Sequence, residues 1–181
     1  PELSALAFSP FELDRFDWVH FEGRDPDQTA TMLRDLAARH PELPVSLEVE
    51  KPRPGVERLF DGPRVLIFSR VYAVSRVYAD PVRFLADQWS GVSAERLFLA
   101  WGEAGAYGQA RGGPVRHARA YAPPRVVDTL GAGDVLNAAL IDGLLVGKAL
   151  DALLERASRL AGHKCGRRGL DGLVASARSE G

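Results

Sequence analysis

The chain has little sulfur: one cysteine and one methionine among 181 residues. A single thiol, Cys165, excludes an intrachain disulfide and suits a reducing compartment such as the cytoplasm. No apolar run approaches about 18 residues, so nothing reads as a membrane span. No signal-peptide pattern is visible either. An excess of one charge is also lacking. Lys+Arg 23 against Asp+Glu 24 gives no electrostatic argument for nucleic acid or an anionic membrane as partner. The four histidines have no metal-ligand spacing, so none is given a metal or catalytic role. There is no internal repeat, linker or low-complexity stretch. Position 1 is proline rather than methionine, so the N-terminus is not expected to be where translation began.

What is present fits one globular domain over 1–181, with 46% hydrophobic residues. Pro1 to Pro10 is weakly patterned and reads as a frayed lead-in. Asp17 to Glu22 reads as a strand broken by Gly23-Arg24. Asp25-Pro26 then opens a helix, with Asp25 as N-cap and Thr29, Met32, Leu33, Leu36 and Ala37 as its buried stripe. Pro44 to Val49 and Val65 to Phe68 read as strands. Asp80-Pro81 opens a second helix, with Val82, Leu85, Ala86 and Trp89 inward. Arg96 to Trp101 is a strand that runs into Gly102-Glu103-Ala104-Gly105. Tyr107 to Tyr121 suggests a small antiparallel excursion. Asp151 to Cys165 forms the last helix, with Leu150, Leu153, Leu154, Ala157, Leu160 and Ala161 inward. Strands alternating with helices predict an α/β fold with a mostly parallel sheet.

The stretch Arg125-Val126-Val127-Asp128-Thr129-Leu130-Gly131-Ala132-Gly133-Asp134 organises the chain. A strand or bend at Val126-Val127 feeds a turn of small residues, and a helical pattern follows: Val135, Leu136, Ala138, Ala139, Leu140 and Leu144. Backbone N–H groups at a helix start suit an anion, and Gly131, Ala132 and Gly133 let a phosphate approach closely. Asp134 follows directly. An anion cradle beside a carboxylate fits phosphoryl transfer, one part holding phosphate and the other taking a proton from the acceptor hydroxyl. The dinucleotide pattern G-x-G-x-x-G fails here for want of a third glycine, and no Gly-Lys-Ser/Thr ending makes a P-loop. The bland alternative is a tight turn with Asp134 as an ordinary first-turn acid. Ligands in such sheets bind beyond the carboxyl ends of strands. Gly23-Arg24, Glu50-Lys51, Gly102–Gly105 and the Gly131–Asp134 loop all follow predicted strands or bends.

The string V-V-D-T-L-G-A-G-D with Asn137-Ala138 resembles the signature of the ribokinase-like (PfkB) carbohydrate kinases. Trp18 to Arg24, Val45 to Arg53, Pro123-Pro124-Arg125, Ala161 to Gly166 and Gly169 to Gly172 resemble the branch of that family that phosphorylates ketohexoses. The resemblance covers nearly the whole chain, and corresponds to the C-terminal part of such an enzyme. It implies a ribokinase-like sheet flanked by helices, without the N-terminal strands and the β lid. It also implies ATP and Mg²⁺ as cofactors, a small-molecule sugar as substrate, and a homodimer for the full-length relatives. Asp134 becomes the base and a sugar contact, and the Gly131, Ala132 and Gly133 amides become the anion hole. Arg24, Gly102, Glu103 and Gly105 become nucleotide contacts, and Cys165 borders the adenine. The resemblance also gives Asp128 a part in holding a monovalent cation such as K⁺, while Glu48 and Glu50 are read from the chemistry of Mg²⁺, which keeps several waters and needs only one or two carboxylates. The alternatives read from the residues stay beside these: a solvated Arg24, a polar strand face at Glu48, a turn-forming Asp128, a buried structural Cys165. Three departures stand out. Ala104 replaces the family's second acid, Val135 replaces a small polar residue after Asp134, and Phe68-Ser69-Arg70-Val71 replaces an S-K-D type segment. The family's sugar-binding Asp and G-G-N segment have no match here. Gly112-Gly113 leads into Pro114 instead.

Overall fold

The computed structural model describes residues 2–175 and divides the chain into two compact units. The first comprises Pro1–Leu99 with Gln109–Val115, the second Ala100–Gly108 with Arg116–Gly181.

In the first unit the strands are β1 (Val19–Glu22), β2 (Val45–Val49), β3 (Val65–Ser69) and β4 (Arg96–Ala100), the last of which runs one residue into the second unit. They lie in the order β1-β2-β3-β4. β1 pairs parallel with β2 and β2 parallel with β3, as the βα alternation predicts. Leu47, Val49, Leu66, Ile67 and Phe68 are fully buried, which fits strands covered on both faces. Helix α2 (Pro26–Arg39) begins where the sequence places it. The Asp25 carboxylate accepts the Gln28 N–H at 3.1 Å, and Pro26 sits where no N–H is needed. Thr29, Met32 and Leu36 are its buried face, while Ala37 is exposed because the inward stripe is narrower than expected.

Three expectations are corrected. The lead-in is not frayed: α1 (Ala5–Phe8) is capped by Ser4 and buries Phe8. The Phe8 ring lies 5.6 Å from that of Phe21, and the Ala5 N–H donates to Gln28 Oε1 at 2.8 Å. A further helix, α3 (Arg70–Ser75), follows β3, with the Ser69 hydroxyl accepting the Tyr72 N–H. Helix α4 (Pro81–Asp87) starts at Asp80-Pro81 as expected, but buries Phe84 and Leu85 and leaves Val82 and Ala86 exposed. The Phe84 ring packs edge-on at 5.1 Å from Phe68 and 6.2 Å from Tyr72. An aromatic ring buries more apolar area than Val82, so the helix is rotated toward that cluster.

The second unit holds an antiparallel pair formed by β5 (Ala106–Ala110), whose last two residues extend into the first unit, and β6 (Arg116–Ala118). Two long helices follow, α5 (Ala132–Leu145) and α6 (Leu150–Cys165). They pack on one another, and both carry buried side chains: Leu136, Ala139 and Leu140 on α5, Leu153, Leu154 and Ala157 on α6. Gly143 permits the approach, since a Cβ there would lie 2.3 Å from a Leu153 methyl. Among the described residues no helix is long and apolar enough to cross a membrane.

Candidate active site

The loop before α5 belongs to the second unit. Val126 and Val127 form no strand and are exposed, so the bend alternative describes them. The Val127 and Asp128 N–H groups both donate to the Cys165 carbonyl, at 2.8 and 3.2 Å, which ties the loop to the last turn of α6. Asp128 then closes a local turn: its Oδ1 accepts the Leu130 N–H at 2.9 Å. Gly131 follows as the N-cap of α5, at φ 81°. That left-handed conformation is the reason for glycine at this position.

The first turn of α5 is Ala132, Gly133 and Asp134. The Ala132 N–H is spent internally on the Thr129 carbonyl at 3.2 Å, so it closes the turn rather than facing a ligand. A Cβ built on Gly133 would meet nothing within 4 Å, so the space beside its amide is open. Asp134 is exposed on the same turn. Open backbone beside the positive end of a 14-residue helix, with an exposed carboxylate, fits a phosphate group. Leu136 and Asn137 are buried on the inner face and fix the helix that presents these groups.

Gly102 to Ala104 form a 3₁₀ turn closed by the Gly105 N–H donating to the Gly102 carbonyl at 2.9 Å. Gly102 and Glu103 are exposed, whereas Gly105 is buried at φ 98°. A Cβ on Gly105 would lie 2.1 Å from the Ala118 carbonyl oxygen, so packing against the end of β6 accounts for this glycine. Cys165 is a half-buried free thiol at the end of α6.

In the first unit, Glu22, Arg24, Glu48 and Glu50 line one narrow cleft at the carboxyl ends of β1 and β2. Glu22 and Glu48 are register partners on adjacent parallel strands, with carboxylate oxygens within 4.8 Å of one another. Two half-buried carboxylates this close suit Mg²⁺, which keeps several waters and needs only one or two such groups. Glu50 is exposed and pairs with Lys51 Nζ at 3.2 Å, so the acid beside Glu48 is Glu22. Sequence reasoning missed Glu22. The available signal was its place at a strand's last residue, just before Gly23-Arg24. Arg24 is half-exposed and ion-paired with Glu22, with Glu2 at 3.9 Å. Gly23 sits under the cleft, where a Cβ would lie 3.1 Å from the Glu48 carbonyl oxygen.

The Asp128 geometry also tests a monovalent cation. Its main-chain oxygen and its Oδ2 both accept from Lys164 Nζ, each at 3.0 Å. A cation of the chain's own already occupies these oxygens, and they do not fit K⁺ as well. The Leu130 N–H and then the Lys164 ammonium hold the Asp128 carboxyl below the usual carboxylate range. A depressed carboxyl contributes stability above its unfolded pKa, and that contribution disappears as pH falls through the folded value.

Comparison with known proteins agrees with this fold. Residues 84–175 match the pfkB family carbohydrate kinases, and the chain belongs to that family. It is 37% identical over 181 residues to ketohexokinase of Mus musculus, covering 96% of this chain and 61% of that protein. The chain thus spans about three-fifths of that relative's length. Among solved structures it is similar to a putative Ribokinase II from E. coli in its apo form, with TM-score 0.80 and 18% identity over 98% of this chain and 61% of the other. The same E. coli protein in complex with ATP and Mg²⁺ matches with TM-score 0.78 and 18% identity over 98% and 62%. These likenesses place the chain in the ribokinase-like α/β fold.

Proposed function

We propose that this chain supplies the nucleotide-binding and phosphoryl-transfer residues of a kinase that phosphorylates a ketohexose, converting fructose to fructose 1-phosphate with ATP. The observation that carries the proposal is the left-handed Gly131 turning into α5, with open space at Gly133 and an exposed Asp134 in the first turn. Family membership and the likeness to mouse ketohexokinase support the substrate class. Asp134 accepts the proton of the attacking hydroxyl as that oxygen bonds to the γ-phosphorus and the bond to the ADP oxygen breaks. A loose transition state lets the proton leave late, so a carboxylate at a helix N-terminus suffices as base. The Gly131 and Gly133 amides stabilise the charge on the transferring group, the Ala132 N–H being spent on the Thr129 carbonyl. Bound Mg²⁺ would neutralise phosphate charge, and Glu22 and Glu48, with carboxylate oxygens within 4.8 Å of one another, would hold its waters. The family's sugar-binding Asp and G-G-N segment have no match here, so fructose-dependent ADP release, measured with the remaining two-fifths or so of the relative's length supplied as its N-terminal part, tests the activity. Release that does not depend on a sugar would count against it.

Arg24 is assigned a phosphate contact. Its guanidinium now rests on Glu22, so binding would exchange that partner for phosphate. Arg24→Ala is expected to weaken Mg·ATP binding by roughly 1–3 kcal/mol, the range for a charge-assisted hydrogen bond. Calorimetry on the folded variant decides this, and unchanged affinity would make Arg24 a surface residue only.

A further inference from the structure

Lys164 is the one fully buried lysine among the described residues, with 2% of its side chain exposed. An ammonium has three protons to donate and cannot accept. Here it has three acceptors: the Asp128 carbonyl at 3.0 Å, Asp128 Oδ2 at 3.0 Å and the Arg167 carbonyl at 3.3 Å. Two are main-chain oxygens from segments 39 positions apart in numbering, one at the start of the Asp128–Gly131 loop and one just beyond α6. The Lys164 stem also runs beneath the N-cap, since its Cε would lie 3.9 Å from a Cβ on Gly131. Carbonyl and carboxylate oxygens converging on one buried positive centre resemble the coordination of a small cation more than a surface ion pair. The negative end of α6 adds to the attraction, because Lys164 lies in its last turn.

We propose that Lys164 is a tethered cation: its ammonium gathers the oxygens of Asp128 and Arg167 and so positions the Gly131–Asp134 turn without any monovalent metal ion. Burying a lysine stem and charge is costly, and it persists only where every proton is satisfied. In return the loop is fixed from beneath, through Asp128 to the Leu130 amide and the left-handed Gly131. Lys164 touches no reacting atom and is a positioning residue. Its importance for turnover rests on the proposed kinase activity, but the cation replacement itself does not.

The experiment compares wild type, Lys164→Met and Lys164→Ala in KCl and in choline chloride at equal ionic strength. Thermal unfolding and Mg·ATP affinity are measured for each. Wild type should unfold at the same temperature in both salts and bind Mg·ATP equally within about twofold. Lys164→Met keeps the stem without the charge, so it should lose stability and affinity in both salts. Loss of alignment at this distance can cost up to ~10²-fold in turnover. Lys164→Ala opens the ammonium's place, and K⁺ but not choline should restore part of the lost stability. A wild type stabilised by K⁺ over choline would overturn the proposal. So would wild-type stability in Lys164→Met, or a folded Lys164→Ala indifferent to K⁺. Should Lys164→Ala fail to fold, the wild type in two salts and Lys164→Met decide. Unfolding needs no nucleotide, so a chain that binds no ATP would fail the functional reading while the unfolding comparison still judges Lys164.

Discussion

Asp134→Asn is expected to abolish most turnover while leaving Mg·ATP affinity nearly unchanged. The side chain is exposed in the first turn of α5 and caps no described hydrogen bond in the core, so the amide should be tolerated structurally. Asparagine keeps the size and removes the proton acceptor. Losing a general base typically costs ~10²–10⁴-fold. Nucleotide affinity should persist because the backbone amides of the turn are untouched. Steady-state ADP release and calorimetry on one preparation, with the N-terminal part that carries the family's sugar-binding Asp and G-G-N segment supplied, separate the two effects. A variant keeping more than half the wild-type rate would remove Asp134 from the chemistry.

The second large effect concerns the fold beneath the Gly102–Gly105 turn. Gly105→Ala is expected to destabilise the second unit strongly. Its φ of 98° is costly for any side chain. The new Cβ would also meet backbone on three sides: the Ala118 oxygen at 2.1 Å, the Ala120 nitrogen at 2.6 Å and the Arg119 carbonyl carbon at 2.7 Å. These are main-chain atoms, which cannot rotate away as a side-chain tip can. Left-handed strain and overpacking each cost roughly 1–3 kcal/mol. At about 2–4 °C per kcal/mol for a chain of this size, the melting temperature should fall by roughly 5–20 °C. Gly102→Ala is the control: it shares a positive φ, but its Cβ would meet nothing within 4 Å, so it should lose less. Equal losses in the two variants would show that strain alone, not the packing against β6, fixes Gly105.

These two residues also show what the sequence could tell. Helix starts at Asp25-Pro26 and Asp80-Pro81 were legible because an N-cap and a following proline act within one turn of the chain. The α5 start was legible differently, through the glycine at 131 and the small residues that run into a helical pattern. The inward face of α4 was not. Phe84 is chosen over Val82 by rings that come from β3 and α3, distant in the chain, and period counting cannot see them. The short α1 was missed because its one buried side chain, Phe8, gains its partner only when Phe21 is in place. The Glu22–Glu48 pair depends on the register of two parallel strands, which a sequence does not print. The burial of Lys164 is not legible in the sequence, since the oxygens that make it possible come from Asp128 and Arg167. The family resemblance implies a nucleotide contact for Gly105, yet its conformation answers first to β6.

The central claim is that the turn into α5 forms a nucleotide phosphate site. Calorimetric titration of Mg·ATP into the folded wild-type chain tests it most directly, with the unfolding temperature followed on the same preparation. The account predicts saturable binding, and an unfolding temperature that rises with nucleotide concentration as binding to the native state requires. A folded chain that gives no binding heat and no rise in unfolding temperature at millimolar Mg·ATP would contradict it.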